Sequence, residues 1–299
     1  MSASEMGTVE NELSVTKATG GPNGIREFIR SRIYYGFVLL PYLRAKHREL
    51  LRNVERSNSH TYTCFHRSPW QLAALTGPAL DYLRASEDRK LTITVFAGSN
   101  GAEAYTIASE LLARRPDVEF SITASDLHQE MVDKAVAAVY SMQEITQGLH
   151  VPSEFIARTF DKVGDDYVVK PSIRSKVTFV QADLLDPKLQ QHFPPADIVI
   201  AQNVLFHMPP DLARRAFESI VRFLKCRSVL FLDGMELDMR VELTKQARLK
   251  PLDFKIREIY EYSRRHIPEN WWDIYYGNEP YFPLSRDKRR RYGTIFLKG

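Results

Sequence analysis

Hydrophobic and polar positions alternate with two periods along this chain. Residues 91–97, LTITVFA, form a short and nearly continuous apolar run rich in β-branched side chains, the pattern of a buried strand. Gly98-Ser99-Asn100-Gly101 breaks the run, and Tyr105, Ile107, Ala108, Leu111 and Leu112 then recur at helical spacing. The unit reads as strand, glycine turn, helix, with the helix N-terminus aimed at whatever sits above the sheet. Apolar runs at 120–125, 177–180, 197–201 and 229–232 predict four more strands. Helical patterns separate them at 128–140 and from Pro209 onward, where Leu212, Ala216, Ile220, Phe223 and Leu224 share a face. Residues 253–260 and 292–297 read as two closing strands, so the alternation predicts an α/β fold with seven strands. The stretch FDKVGDDYVVKP, 160–171, interrupts it as a β-hairpin around Gly164-Asp165-Asp166, an appended docking ribbon.

Residues 1–23 hold few apolar side chains and end in a Gly-Gly-Pro-Asn cluster, so they read as a loose tail. Between 25 and 54 apolar residues sit at mostly helical spacing that Pro41 interrupts, which predicts two helices or one kinked helix. Ser68-Pro69 is a helix start, and Leu72, Leu75 and Leu83 carry that helix toward Arg84. The division is a tail at 1–23, a small N-terminal helical subdomain with its linker at 24–85, and a main domain at 86–299. Within the last, the stretch 264–291 concentrates Trp271, Trp272, Tyr275, Tyr276, Tyr281 and Phe282 in a connection longer than a compact domain needs. It reads either as a substrate lid that walls off water or as a packing plug over the sheet edge.

Composition narrows the picture. The 299 residues are 44% hydrophobic, ordinary for a water-exposed globular chain, with no run of membrane-spanning length and a polar, acidic N-terminus that is no signal peptide. Lys+Arg 41 against Asp+Glu 37 gives +4, too mild an excess to imply nucleic acid. Arg26, Arg30, Arg32, Arg44, Lys46, Arg48, Arg52 and Arg56 make the N-terminal end the more basic, as a solvated helix face or as a guide for an anionic acceptor. The run Lys288-Arg289-Arg290-Arg291 reads as solvated charge or as a patch for an acidic acceptor or nucleic acid. Cys64 and Cys226 lie far apart without a partner motif, which points to reduced thiols, a cytoplasmic location and no metal site.

The glycine turn has neither the G-x-G-x-x-G that seats a pyrophosphate nor a Gly-Lys-Ser/Thr ending. Glu103, in the first turn of the helix, would repel a pyrophosphate and suit a cationic or zwitterionic ligand; the alternative is that it only complements the helix dipole. Asp126, at the end of the second strand, is placed to accept both hydroxyls of a ribose. Asp183 and Asn203 follow later strands, and the carboxyl ends of strands mark the ligand crevice of an open α/β sheet.

Five blocks in order carry a resemblance: TYTCFHR at 61–67, AGSNGAEAYTIA at 97–108, ASDLHQEMVDKA at 124–135, QADLL at 181–185 and QNVLFHM at 202–208. From about Thr61 to Glu236 the chain resembles the CheR-type chemotaxis receptor glutamate methyltransferases, a branch of the class I methyltransferases that use S-adenosyl-L-methionine (SAM). That resemblance implies an enzyme with a Rossmann-like seven-stranded sheet whose last two strands pair antiparallel, and S-adenosyl-L-homocysteine (SAH) as product. It also implies that Thr63, Arg67, Ala97, Gly98, Glu103, Asp126, Leu127, Asp183, Leu184, Gln202 and Asn203 line the cofactor site, with Arg67 and His207 closest to the methyl. Three positions depart from the family pattern: Gln202 stands for its Arg, His207 for its Tyr and His66 for its second Phe. The N-terminal helical region is also shorter.

The cofactor end thus looks inherited and the acceptor end rebuilt, which favours a small polar or anionic molecule as acceptor. Protein glutamate, a SAM-binding regulatory module without turnover and, from the basic segments alone, RNA methylation are the alternatives. A carboxylate acceptor needs only a cation such as Arg67 to hold it, whereas an amine, guanidine or hydroxyl must lose a proton that His207 or His66 could take. Trp271, Trp272, Tyr275 and Tyr276 are the candidate acceptor-binding residues.

Overall fold

The computed structural model describes residues 63–83, 90–147, 151–263 and 281–299, all within the unit Arg56–Gly299. The expected tail, the helices expected between 25 and 54, and Trp271, Trp272, Tyr275 and Tyr276 lie outside the described residues.

Helix α1 (Pro69–Ala74) starts behind Ser68 and runs into a π-turn at Leu75–Ala79, where Gly77 leaves helical geometry beside Pro78. The single helix expected toward Arg84 is therefore broken. Strand β1 (Leu91–Phe96) and helix α2 (Ala102–Arg114) form the expected opening unit. Next come β2 (Phe120–Asp126) and α3 (Gln129–Ala137). Helix α3 stops short of the expected Tyr140 because Ala138 turns to φ +57°, and Val139–Ser141 becomes β3. Helix α4 (Ser153–Thr159) leads into β4 (Phe160–Val163) and β5 (Asp166–Val169). The chain continues through β6 (Val177–Gln181), β7 (Ala196–Gln202), α5 (Pro210–Arg222), β8 (Leu224–Asp233) and α6 (Leu237–Gln246). It closes with β9 (Lys250–Pro251), α7 (Ile256–Ser263), α8 (Lys288–Tyr292) and β10 (Ile295–Lys298).

The main sheet has the order β6-β2-β1-β7-β8-β10-β9. Strands β6, β2, β1, β7 and β8 are parallel, and β10 pairs antiparallel with both β8 and β9. From β1 the chain steps outward to β2 and β6 and returns to β7 on the other side of β1. That reversal opens a crevice above the carboxyl ends of β1 and β7. Central strands are buried on both faces, and Phe96, Phe193 and Phe223 meet at centroid distances of 5.2 to 6.1 Å beneath the crevice.

At the opposite end of the sheet Asp197 ties three strands together. Its Oδ2 accepts from Thr92 N (2.9 Å), Thr92 Oγ1 (2.8 Å) and Lys225 Nζ (2.8 Å). Burial alone would push its carboxyl up, but the bonds from Lys225 and Thr92 outweigh that and hold it below the ordinary carboxylate range.

The expected hairpin is present, with Gly164 at φ +64° in its turn, and it gains β3 as a third strand in the order β3-β5-β4. The expected strand at 253–260 is instead the short β9 followed by helix α7. Ile256, Ile259, Tyr260 and Ser263 repeat at three to four residues, and Ile259, Tyr260 and Tyr262 are buried. Tyr281 and Phe282 pack onto the cluster of Leu237, Tyr260 and Tyr292, with Tyr292 Oη accepting from Phe282 N (3.0 Å). The basic run in α8 is largely engaged: Arg289 pairs with Asp253, Arg290 donates to Leu249 O (2.6 Å) and Arg291 pairs with Asp238. Among the described residues, no helix is long and apolar enough to cross a membrane and no cluster of His, Cys, Asp or Glu could hold a metal.

Candidate functional site

The crevice deepens into a cavity of about 380 Å³ at the sheet's carboxyl edge. Its floor begins at the turn after β1. The expected turn Gly98-Ser99-Asn100-Gly101 is present, but Gly98 is not what makes it possible: Ala97 (φ +54°) and Ser99 (φ +49°) on either side take the left-handed region, and a side chain at Gly98 would meet only ordinary contacts. Gly101 is the glycine the turn requires. It adopts φ +90°, and a Cβ there would come within 2.9 Å of Ala135 Cβ and 3.0 Å of Phe179 Cζ, where α2 begins.

Two non-glycine residues in the left-handed region are sparsely populated geometry that something must hold. The holder is Asp126. Its Oδ2 accepts from Ser99 N (2.8 Å) and its Oδ1 from His128 N (3.0 Å), while Gly98 N donates to Ser125 O (2.8 Å). Each oxygen of the carboxylate thus spends one acceptor site on the backbone and keeps capacity for another partner. Ser99, which lines the cavity as well, was not singled out by sequence reasoning; its place directly after the glycine was the available signal.

Glu103 faces the cavity from the first turn of α2. Burial pushes its carboxyl up to about 7, and the Arg67 guanidinium pulls in the opposite direction. That coupling brings the linker cation and the helix acid to one end of the site. Thr63 and Arg67 reach the wall from the segment before α1. Asp183, exposed, binds Leu185 N through Oδ1 (2.8 Å); Leu127 is 55% exposed and Leu184 is buried, and all three border the same cavity.

Gln202 ends β7, and Asn203 follows at φ +55° with its N–H on Asp233 O (3.0 Å). A 3₁₀ turn, Leu205–His207, then brings His207 to the cavity with its ring 3.9 Å from that of Phe206. Gly234 makes this turn possible and was also missed. At φ +64° it accepts from Phe206 N (2.8 Å), and a Cβ there would lie 2.5 Å from Asn203 Cα and 2.6 Å from Phe206 Cδ1.

Of the expected site residues, Thr63, Arg67, Ala97, Glu103, Asp126, Leu127, Asp183, Leu184, Gln202, Asn203 and His207 border this one cavity. Gly98 and His66 do not. His66 was expected as a possible proton acceptor for the transfer, yet it turns inward at φ +52°: its N–H donates to Thr106 Oγ1 (3.2 Å), and its Nε2 lies 3.7 Å from Oε1 of the buried Glu110. Its ring packs on Phe155 at 5.4 Å, so it belongs to the interior between α2 and α4. The four candidate acceptor-binding aromatics lie outside the described residues.

The sequence model of the family described as CheR methyltransferase, SAM binding domain, matches residues 61–250. The chain is 28% identical over 201 residues to a 104.1 kDa protein in the hypE 3′ region of Rhodobacter capsulatus, covering 64% of this chain and 20% of that one. It is 25% identical over 171 residues to a chemotaxis protein methyltransferase of Listeria monocytogenes (57% and 62% of the two chains), and 28% identical over 199 residues to one of Vibrio parahaemolyticus (64% and 70%). The chain therefore spans less than two thirds of the Rhodobacter and Listeria proteins. Solved structures with similarity include magnesium protoporphyrin IX methyltransferase from Synechocystis PCC 6803 with bound SAM (TM-score 0.36, 16% identity, 62% of this chain and 71% of that). The DszA carbon methyltransferase is another (TM-score 0.39, 17% identity, 61% and 48%).

Proposed function

This chain belongs to the CheR methyltransferase family, and from that premise we propose that it moves the methyl group of SAM to a small polar or anionic acceptor. Its sheet, five parallel strands with the last strand inserted antiparallel between β8 and β9, is the class I Rossmann-like arrangement that uses this cofactor. SAM supplies a sulfonium-bound methyl group open to in-line attack.

The observation that carries the reading is a shared space: Asp126, Glu103, Arg67 and His207 border one cavity although they come from four separate parts of the chain. The residues suit the cofactor's chemistry. Asp126 keeps an acceptor site on each oxygen for the ribose hydroxyls, and Glu103 offers a carboxyl to the cationic amino-acid end. Leu127 and Leu184 give the adenine apolar cover. On the transfer side, Arg67 holds an anionic acceptor oxygen, and the His207 imidazole takes the proton when the acceptor brings one. Enclosure by the wall of α1 limits water at the reacting carbon.

Calorimetry with SAH and transfer from methyl-labelled SAM test this together. The expected result is SAH binding to the wild-type protein, weakened at least about tenfold by D126A, which removes a charged hydrogen-bond acceptor. Label is expected in a low-mass acceptor, and R67A should reduce that label. Absence of any heat with SAH would sink the proposal. A second reading, methyl esterification of protein glutamate, is favoured by the relatives named chemotaxis protein methyltransferase; base-labile label on receptor cytoplasmic fragments would establish it over the first.

A further inference from the structure

One wall of the cavity is not accounted for by the groups assigned to the cofactor. Sheet order puts Asp126 and Asp183, at the ends of β2 and β6, to one side of β1, and His207, after β7, to the other. Helix α1 lies on that second side: Gln71 Nε2 donates to Thr294 Oγ1 (3.0 Å), directly before β10, which only β8 separates from β7. Ser68, Gln71, Leu72 and Leu75 border the cavity here, together with Phe231 of β8.

Ser68 occupies the N-cap position of α1 with extended backbone, φ −136° and ψ 91°. A serine at that position ordinarily accepts from an amide of the first turn, yet this one makes no capping bond. It is 8% exposed, and its Oγ has no hydrogen-bond partner among the described residues. Such a hydroxyl is uncommon in a folded protein, because the hydration given up on burial is not replaced; Oγ is sealed as it stands, and a turn about its side-chain bond is what would present it to a ligand in the cavity that the residue borders. Gln71, 4% exposed, has its amide oriented by the bond to Thr294, which leaves Oε1 as an acceptor.

We propose that Ser68 and Gln71 form the acceptor subsite. Ser68 Oγ donates to, and Gln71 Oε1 accepts from, a neutral group that has both functions, a primary or secondary amide or a hydroxyl, on a short apolar body resting against Leu72, Leu75 and Phe231. The assignment rests on the reading of this cavity as a SAM site with its acceptor beside Arg67.

The test loads the protein with SAH and titrates acetamide, a minimal probe of that chemistry, by ligand-observed NMR. For each variant it also records SAH affinity and the thermal midpoint of the ligand-free protein. Wild type should bind acetamide saturably, S68A should weaken it roughly five- to tenfold, the worth of one hydrogen bond, and S68T, which keeps the hydroxyl, should restore it. SAH affinity of S68A should equal that of wild type, and its ligand-free midpoint should be no lower, since among the described residues no hydrogen bond is lost and an unsatisfied buried hydroxyl is removed. The assignment is overturned by equal acetamide binding in wild type and S68A or by no saturable binding to wild type. It is equally overturned if S68A weakens SAH or lowers the ligand-free midpoint, results that would give the hydroxyl to the cofactor or to the fold. Failure of wild type to bind SAH at all would instead strike the reading of the cavity itself.

Discussion

Glu103 carries a carboxyl held near 7 by burial against the pull of Arg67, and this sets a pH signature for the site. A carboxyl raised in the folded state above its unfolded value of 4.5 favours folding at low pH and loses that contribution as pH climbs through about 7. A ligand that presents positive charge to Glu103 favours the ionised form and releases a proton on binding below pH 7. SAH affinity is therefore expected to rise with pH up to about 7 and then level off, and E103Q should bind more weakly with a flat profile. Calorimetry in buffers of different ionisation enthalpy reads the released proton directly, and a pH-independent wild type would contradict the assignment. The acids were legible in the sequence because a carboxyl at a strand end or in a first helical turn is a local signal. The backbone of the turn was less so: Ala97 and Ser99, residues that disfavour positive φ, take it because Asp126 pays for the geometry with a hydrogen bond reaching across 27 residues. His66 misled for the same reason, since its inward rotation depends on Thr106 and Glu110, a helix away in sequence.

Among the elements, the turn after β7 depends on a residue that touches no ligand. Gly234 sits where any side chain would collide with Asn203 and Phe206, so G234A must either push that turn aside or unfold it. The expected cost is about 2–4 kcal/mol from overpacking combined with left-handed strain, seen as a lower denaturant midpoint, with SAH affinity reduced because Asn203 and His207 move together. A midpoint equal to wild type would show the turn to be freer than it stands here. Elements with one strong period, β1, α2, β2, β7 and α5, were readable from the sequence. Those decided by neighbours were not. Residues 256–263 hold aromatic and β-branched side chains that suit a strand, yet they bury a helical face against α8. In α8 itself a run of four cations looked solvated, whereas three of them fasten the chain to Asp253, Leu249 and Asp238.

For the molecule as a whole, six of the main sheet's seven strands were placed beforehand, and the family resemblance implied the antiparallel pairing of the last two; the order of the parallel strands was not legible, since it is fixed by crossovers and not by any local pattern. The small sheet β3-β5-β4 shows what that hides. Phe65 packs into it, with ring centroids 4.9 Å from Tyr140 and 5.2 Å from Phe160, while Thr63 and Arg67, two residues away on either side, border the cavity. Hydrogen exchange should therefore slow in strands β4 and β5 when SAH binds, although neither strand borders the cavity; unchanged exchange there would mean that the linker yields without passing the constraint on. Within five residues Thr63, Cys64 and Arg67 border the cavity while Phe65 and His66 pack inward, which makes this linker a rivet through both parts. A ribbon transplanted from a relative would seat properly only if it arrived with its own copy of that stretch, so the two are expected to be exchanged between proteins as one module.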